Sequence, residues 1–125
     1  MSLPCQEWAR QRLTVEFSDS SLLVRALTHK TLGADNYERL EFLGDRILGA
    51  IIALQLYRRF PAEPEGGLSR RMHRLVSRET CARIARGLGV EQQVRLNAQA
   101  RSDGGTDSDN ILGDAMEALI GAIFL

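Results

Sequence analysis

Three acidic residues, Glu38, Glu41 and Asp45, open the longest apolar stretch of this 125-residue chain. A helix would stack them on one side, where like charges cost roughly 0.2–0.5 kcal/mol per pair. With Glu38 at zero, Glu41 falls at about 300° and Asp45 at about 340° around the helix axis. Leu40, Leu43, Ile47, Ile51 and Leu54 fall at about 140–220° and form the predicted core stripe. A solvated acidic face is the plain explanation. Glu38 also has a plain role, as the partner of Asp35 in a capping box. Against that explanation, Phe42 at about 40° and Ile52 at about 320° flank the acids, so this face also packs against something.

The pattern recurs near the C-terminal end. Asp114 and Glu117 lie opposite a predicted stripe of Leu112, Met116, Leu119 and Ile123, with the small residues Gly113, Ala118 and Gly121 beside them. Small neighbours are expected to leave room for an ion and a bulky substrate. Two helices that each present a pair of carboxylates can converge on a hard divalent cation, for which oxygen ligands suit Mg²⁺ or Mn²⁺. The cation would cancel the repulsion. Other metal chemistries fit less well. His29 and His73 do not follow a glutamate at the Glu-x-x-His spacing of di-iron bundles. The Cys/His cluster that zinc needs is absent. So are a nucleophile elbow and a phosphate-binding glycine loop, so no organic cofactor is expected.

The elements that must carry these acids are all helical in period. Hydrophobic residues make up 44% of the chain, enough for one core in a single domain. A first helix is predicted from Pro4 to Leu13, and a second over Ser21–Lys30, capped by Ser18 or Asp19. The third runs from Tyr37 to Phe60, with Asp35 or Asn36 as cap and Pro61 as its stop. Ser69–Leu88 is predicted helical with a break near Val76–Ser77, ended by Gly87 and Gly89. Asn97–Asp109 reads as an exposed loop, and Asp109 or Asn110 as the cap of the last helix. With no alternating strand pattern, the expected fold class is all-α. Lysine plus arginine and aspartate plus glutamate each number 16, so the net charge of zero shows none of the basic excess usual in nucleic-acid binders. Cys5 and Cys81 read as unpaired thiols of a reducing compartment. No apolar run is long enough to span a membrane, and a cytoplasmic location is expected.

Four blocks then carry a resemblance. "ERLEFLGD" at Glu38–Asp45, "ALTHKT" at Ala26–Thr31, "EGGLSRRMHRLVS" at Glu65–Ser77 and "ILGDAMEALIGAIFL" at Ile111–Leu125 resemble, in order and spacing, the blocks of the ribonuclease III family. The resemblance covers nearly the whole chain. It implies a Mg²⁺-dependent endonuclease (Mn²⁺ as substitute) that cuts double-stranded RNA to 5′-phosphate and 3′-hydroxyl ends in rRNA and mRNA processing. It also implies a homodimer. By the same resemblance, Glu41, Asp45, Asp114 and Glu117 form the catalytic acidic cluster, with Glu41, Asp114 and Glu117 as metal ligands. Glu38 and Glu65 are implied as auxiliary acids of the RNA cleft, and Phe42 as a contact to the partner subunit. Specificity is then mostly for A-form shape.

Arg71, Arg74 and Arg78, together with Arg70, follow the Glu65 loop at near-helical spacing. They read either as a solvated helix face or as a rim that contacts RNA phosphates; Arg101 matches a position usually basic in the family. The loop before the last helix departs from the family, with Asp103, Asp107 and Asp109 where a basic residue is common. Residues 1–125 are expected to be one ribonuclease III-like endonuclease domain, truncated at the C-terminus, because the chain stops inside an apolar helix without the usual RNA-binding module. The alternative is a non-catalytic RNA-binding or scaffold protein on the same fold. Such relatives lose one or more of the acids, and this chain keeps all four.

Overall fold

The last helix organises the molecule because it is apolar on every side. The computed structural model describes residues 4–125, and within them α7 (Asp109–Phe124) buries Leu112, Gly113, Ala115, Met116, Ala118, Leu119, Gly121 and Ala122. A helix buried all round must be wrapped by others. The long helix α3 (Glu38–Arg59) and α5 (Arg78–Leu88) make most of that wrapping. α1 (Pro4–Trp8), continued by a π-helical turn over Ala9–Leu13, and α2 (Ser20–Ala26) close the core with Trp8, Ala9, Leu23 and Ala26. α4 (Glu65–Leu75) leans on α3, and a short α6 (Ala98–Ser102) precedes α7. Among the described residues no strand forms; a lone parallel bridge joins Thr28 to Arg95.

Local chemistry sets most helix ends. The Asp19 carboxylate accepts the Ser21 N–H at 3.0 Å, and Ser77 Oγ accepts the Thr80 N–H at 3.2 Å where the chain breaks between α4 and α5. Gly89 takes the left-handed conformation that stops α5. Several boundaries differ from the sequence-based expectation. α2 ends at Ala26, because the next residues turn away to pair their backbone with the Arg95 segment: His29 N–H donates to Arg95 O at 2.9 Å, and Arg95 N–H to Leu27 O at 2.7 Å. α4 starts at Glu65, four residues before Ser69, with Pro64 at its cap. Asn97–Asp109 is not a plain loop; Asn97 Oδ1 accepts the Ala100 N–H at 2.8 Å and starts α6. Ser108, not Asp109 or Asn110, caps α7.

The core-facing side of α3 also differs. Leu40 and Gly44 are buried and Leu48 packs against the core, whereas Ile51 and Leu54 are 51% and 48% exposed. The contact line is rotated by roughly 60° from the predicted stripe, towards the acids. Glycines cause this rotation. A Cβ on Gly44 would collide with the carbonyl of Glu117, and one on Gly121 with the carbonyl of Leu40. The two helices therefore cross backbone to backbone through a glycine pair, and that crossing carries Glu41 and Asp45 against α7. Gly113 likewise admits the backbone and stem of Arg78. Gly113 and Gly121 thus let helices approach, rather than leaving space for an ion.

Candidate active site

Helical spacing puts Glu41 and Asp45 one turn apart on α3, and Asp114 and Glu117 one turn apart on α7. The glycine crossing brings the two turns face to face. Glu41, Asp114 and Glu117 each offer a carboxylate oxygen within 4.8 Å of the others, and all three are half-buried. Asp45 is exposed and joins the group through a side-chain hydrogen bond with Glu117; Arg46 Nη1 stands 2.8 Å from its outer oxygen.

Protons take the place of a counter-charge. Burial pushes the Glu41 carboxyl up to about 7, helped by the charge and hydrogen bond of Asp114 and by Glu38, and opposed by Arg78. Burial likewise lifts Glu117 to about 8, helped by its hydrogen bond to Asp45 and by the charges of Asp45, Glu41 and Asp114. Asp114 is also raised by burial, yet its bond to Glu41 acts the other way, with Arg78, His29 and Lys30. One shared proton therefore lies between Glu41 and Asp114, on the Glu41 side, and the two titrate as a pair. An all-oxygen, half-buried, mutually repelling donor set fits a hard divalent cation.

The other predicted residues lie outside this cluster. Glu38 is exposed at the first position of α3, where its N–H is capped by Asn36 Oδ1 at 2.9 Å. Asp35 pairs instead with Arg25 at 2.7 Å, so the Asp35–Glu38 capping box does not form. Glu65 is exposed in the first turn of α4. Phe42 is 62% exposed beneath the Arg46 guanidinium, beside an open groove of about 1010 Å³ lined by Leu22, Arg39, Leu43 and Leu125. Arg71 forks onto Glu63 at 2.9–3.0 Å and stacks 3.8 Å above the Phe60 ring, so its guanidinium is engaged within the protein. Arg101 donates to Val94 O at 3.2 Å. Arg74 is exposed. Arg78, also exposed, is the arginine whose charge reaches both Glu41 and Asp114.

Residues 19–125 match the family model described as ribonuclease-III-like. The chain belongs to that family. Ribonuclease 3 of Zymomonas mobilis is 56% identical over 118 residues, covering 94% of this chain and 48% of the relative. Ribonuclease 3 of Pseudomonas paraeruginosa is 48% identical over all 125 residues, 54% of its own length. The chain thus spans about half the length of the curated relatives it matches. Among solved structures, the ribonuclease III nuclease domain of Campylobacter jejuni superposes with a TM-score of 0.91 at 41% identity, over 94% of this chain and 82% of that one. That structure is described as flexible in the region involved in dimer formation.

Within this ribonuclease-III-like frame, sequence reasoning missed two residues at the site. Tyr37 is 3% exposed and its hydroxyl reaches Asp114; His29, 7% exposed, lies edge-on to the Tyr37 ring. The available signal was an aromatic four positions before Glu41, on the same side of the helix entrance.

Proposed function

We propose that this chain is the nuclease domain of an endoribonuclease that hydrolyses double-stranded RNA, using Mg²⁺ or Mn²⁺, to 5′-phosphate and 3′-hydroxyl ends. The observation that carries the reading is the meeting of Glu41, Asp114 and Glu117 from two helices within 4.8 Å. These three would hold the cation, and Asp45 would act through Glu117. When bound, the cation supplies charge to phosphate oxygens and acidity to water. The protein residues do the rest. The glycine crossing fixes the carboxylates relative to one another. Their half-burial strengthens their attraction for a cation over bulk solvent. Arg78 stands where a phosphate beside the acids would meet a positive charge. Glu38 and Glu65 line the rim as auxiliary acids. A homodimer through the Phe42 face would align two such sites along one RNA duplex. Ribosomal and messenger RNA precursors in the cytoplasm are the proposed substrates.

Substituting Glu117 with glutamine tests the reading. Duplex RNA binding should survive while cleavage in Mg²⁺ collapses. A Glu117→Gln protein that cleaves at the wild-type rate would sink the proposal, as would a wild-type chain that neither cleaves at high concentration nor binds a divalent ion.

A further inference from the structure

We propose that Tyr37 is a positioning residue for Asp114: its buried hydroxyl holds that carboxylate in the orientation that faces Glu41 and Glu117. The inference rests on the reading that those three acids hold a cation. Asp114 is met on one side by Glu41 and on the other by the Tyr37 hydroxyl. Tyr37 cannot drift from that place. Its side chain is 3% exposed, and its N–H donates to Thr28 O at 2.9 Å. The edge of one ring meets the other where Tyr37 packs on His29, at 5.7 Å and 90°. His29 is itself pinned. Its Nδ1 lies 2.9 Å from Thr31 Oγ1 and 3.2 Å from the Thr31 N–H, and its backbone N–H donates to Arg95 O. A strap over residues 28–37 thereby ties the Asp114 carboxylate to the bridge between Thr28 and Arg95. A phenol this buried stays protonated, and burial together with three nearby acids raises its pKa well above the usual range. It is therefore a permanent donor to the carboxylate. Carboxylate ligands oriented by such hydrogen bonds typically lose 10–100-fold in metal affinity when the partner is removed.

Tyr37→Phe removes the oxygen and keeps the ring against His29. Mn²⁺ binding to the whole chain, without RNA, is read by electron paramagnetic resonance of the free ion. We expect affinity to weaken by about tenfold, with the thermal midpoint in chelator unchanged. The Mn²⁺ concentration giving half-maximal RNA cleavage should shift by the same factor, with the rate at saturating Mn²⁺ restored. Wild-type affinity in Tyr37→Phe, alongside weakened binding in Glu117→Gln, overturns the role of Tyr37 alone. A lowered midpoint in chelator assigns the hydroxyl to the fold and also overturns it. A wild-type chain that binds no Mn²⁺ overturns the cation reading and this inference together.

Discussion

Gly44 of α3 sits directly against the carbonyl of Glu117 on α7, so the residue that completes the acidic cluster also forms the floor of the helix crossing. No side chain fits between them. Gly44→Ala should therefore destabilise the chain, at or above the upper end of the roughly 1–3 kcal/mol typical of overpacking. It should also weaken divalent-ion binding, because relieving the clash moves Glu117. Urea unfolding and Mn²⁺ titration of the same sample check both effects. A variant as stable as wild type with unchanged Mn²⁺ affinity would contradict the crossing described here.

The acids impose a pH dependence of definite sign. Folding raises Glu41 to about 7 and Glu117 to about 8, above the ordinary 4.5. The folded chain thus binds these protons more tightly than the unfolded chain does. Their contribution to stability is complete below about pH 4.5 and is lost as pH rises through 7 and then 8. A divalent cation replaces the protons. The rise in melting temperature on adding Mg²⁺ should therefore be larger at about pH 8.5 than at about pH 5.5. Melting curves with Mg²⁺ and with chelator at both values decide the matter; an equal rise at both pH values would count against proton–metal exchange at this site.

Phe42 belongs to an apolar surface that one protomer leaves open, with Ile51, Leu54 and Tyr57 at 51%, 48% and 72% exposure on the same helix. Phe42→Ala should leave the monomer folded and weaken self-association by more than about 2 kcal/mol, as expected for an aromatic anchor. Sedimentation of wild type and variant over a concentration series is the check. Identical association constants would remove Phe42 from the interface.

The arginines should separate in their salt response. Arg78 faces the acids with its charge free of any recorded ion pair, so Arg78→Ala should lower the salt slope of RNA binding by about one phosphate contact. Arg71 is occupied by Glu63 and Phe60; Arg71→Ala should leave that slope unchanged and lower thermal stability instead. Binding isotherms at several salt concentrations, on the Glu117→Gln background to prevent cleavage, distinguish the two. The reverse pattern would exchange their roles.

Sequence patterning located the helices well wherever a local signal exists. The break at Val76–Ser77 and the stop at Pro61 follow from capping and from the missing proline N–H. α4 began earlier than expected because the glycines after Glu65 disguised a helix start at Pro64. α6 was missed because Asn, Asp and Gly suit a short capped turn as well as a loop. The second helix was drawn too long, since the pairing of its end with Arg95 depends on residues distant in the chain.

By itself the sequence determined that the chain is helical, that four acids sit in pairs one helical turn apart, and which family it belongs to. These are matters of spacing and residue type, and a helix reports them from any short window. Tertiary structure alone decided which side of α3 is inside. α3 carries apolar residues on nearly every side, so periodicity cannot rank its faces. Steric contact does: only at Gly44 and Gly121 can two backbones touch, and the helices dock there. That contact turned Glu41 and Asp45 towards Asp114 and Glu117, left Phe42 and the expected core residues Ile51 and Leu54 exposed to solvent, and set Tyr37 behind the cluster.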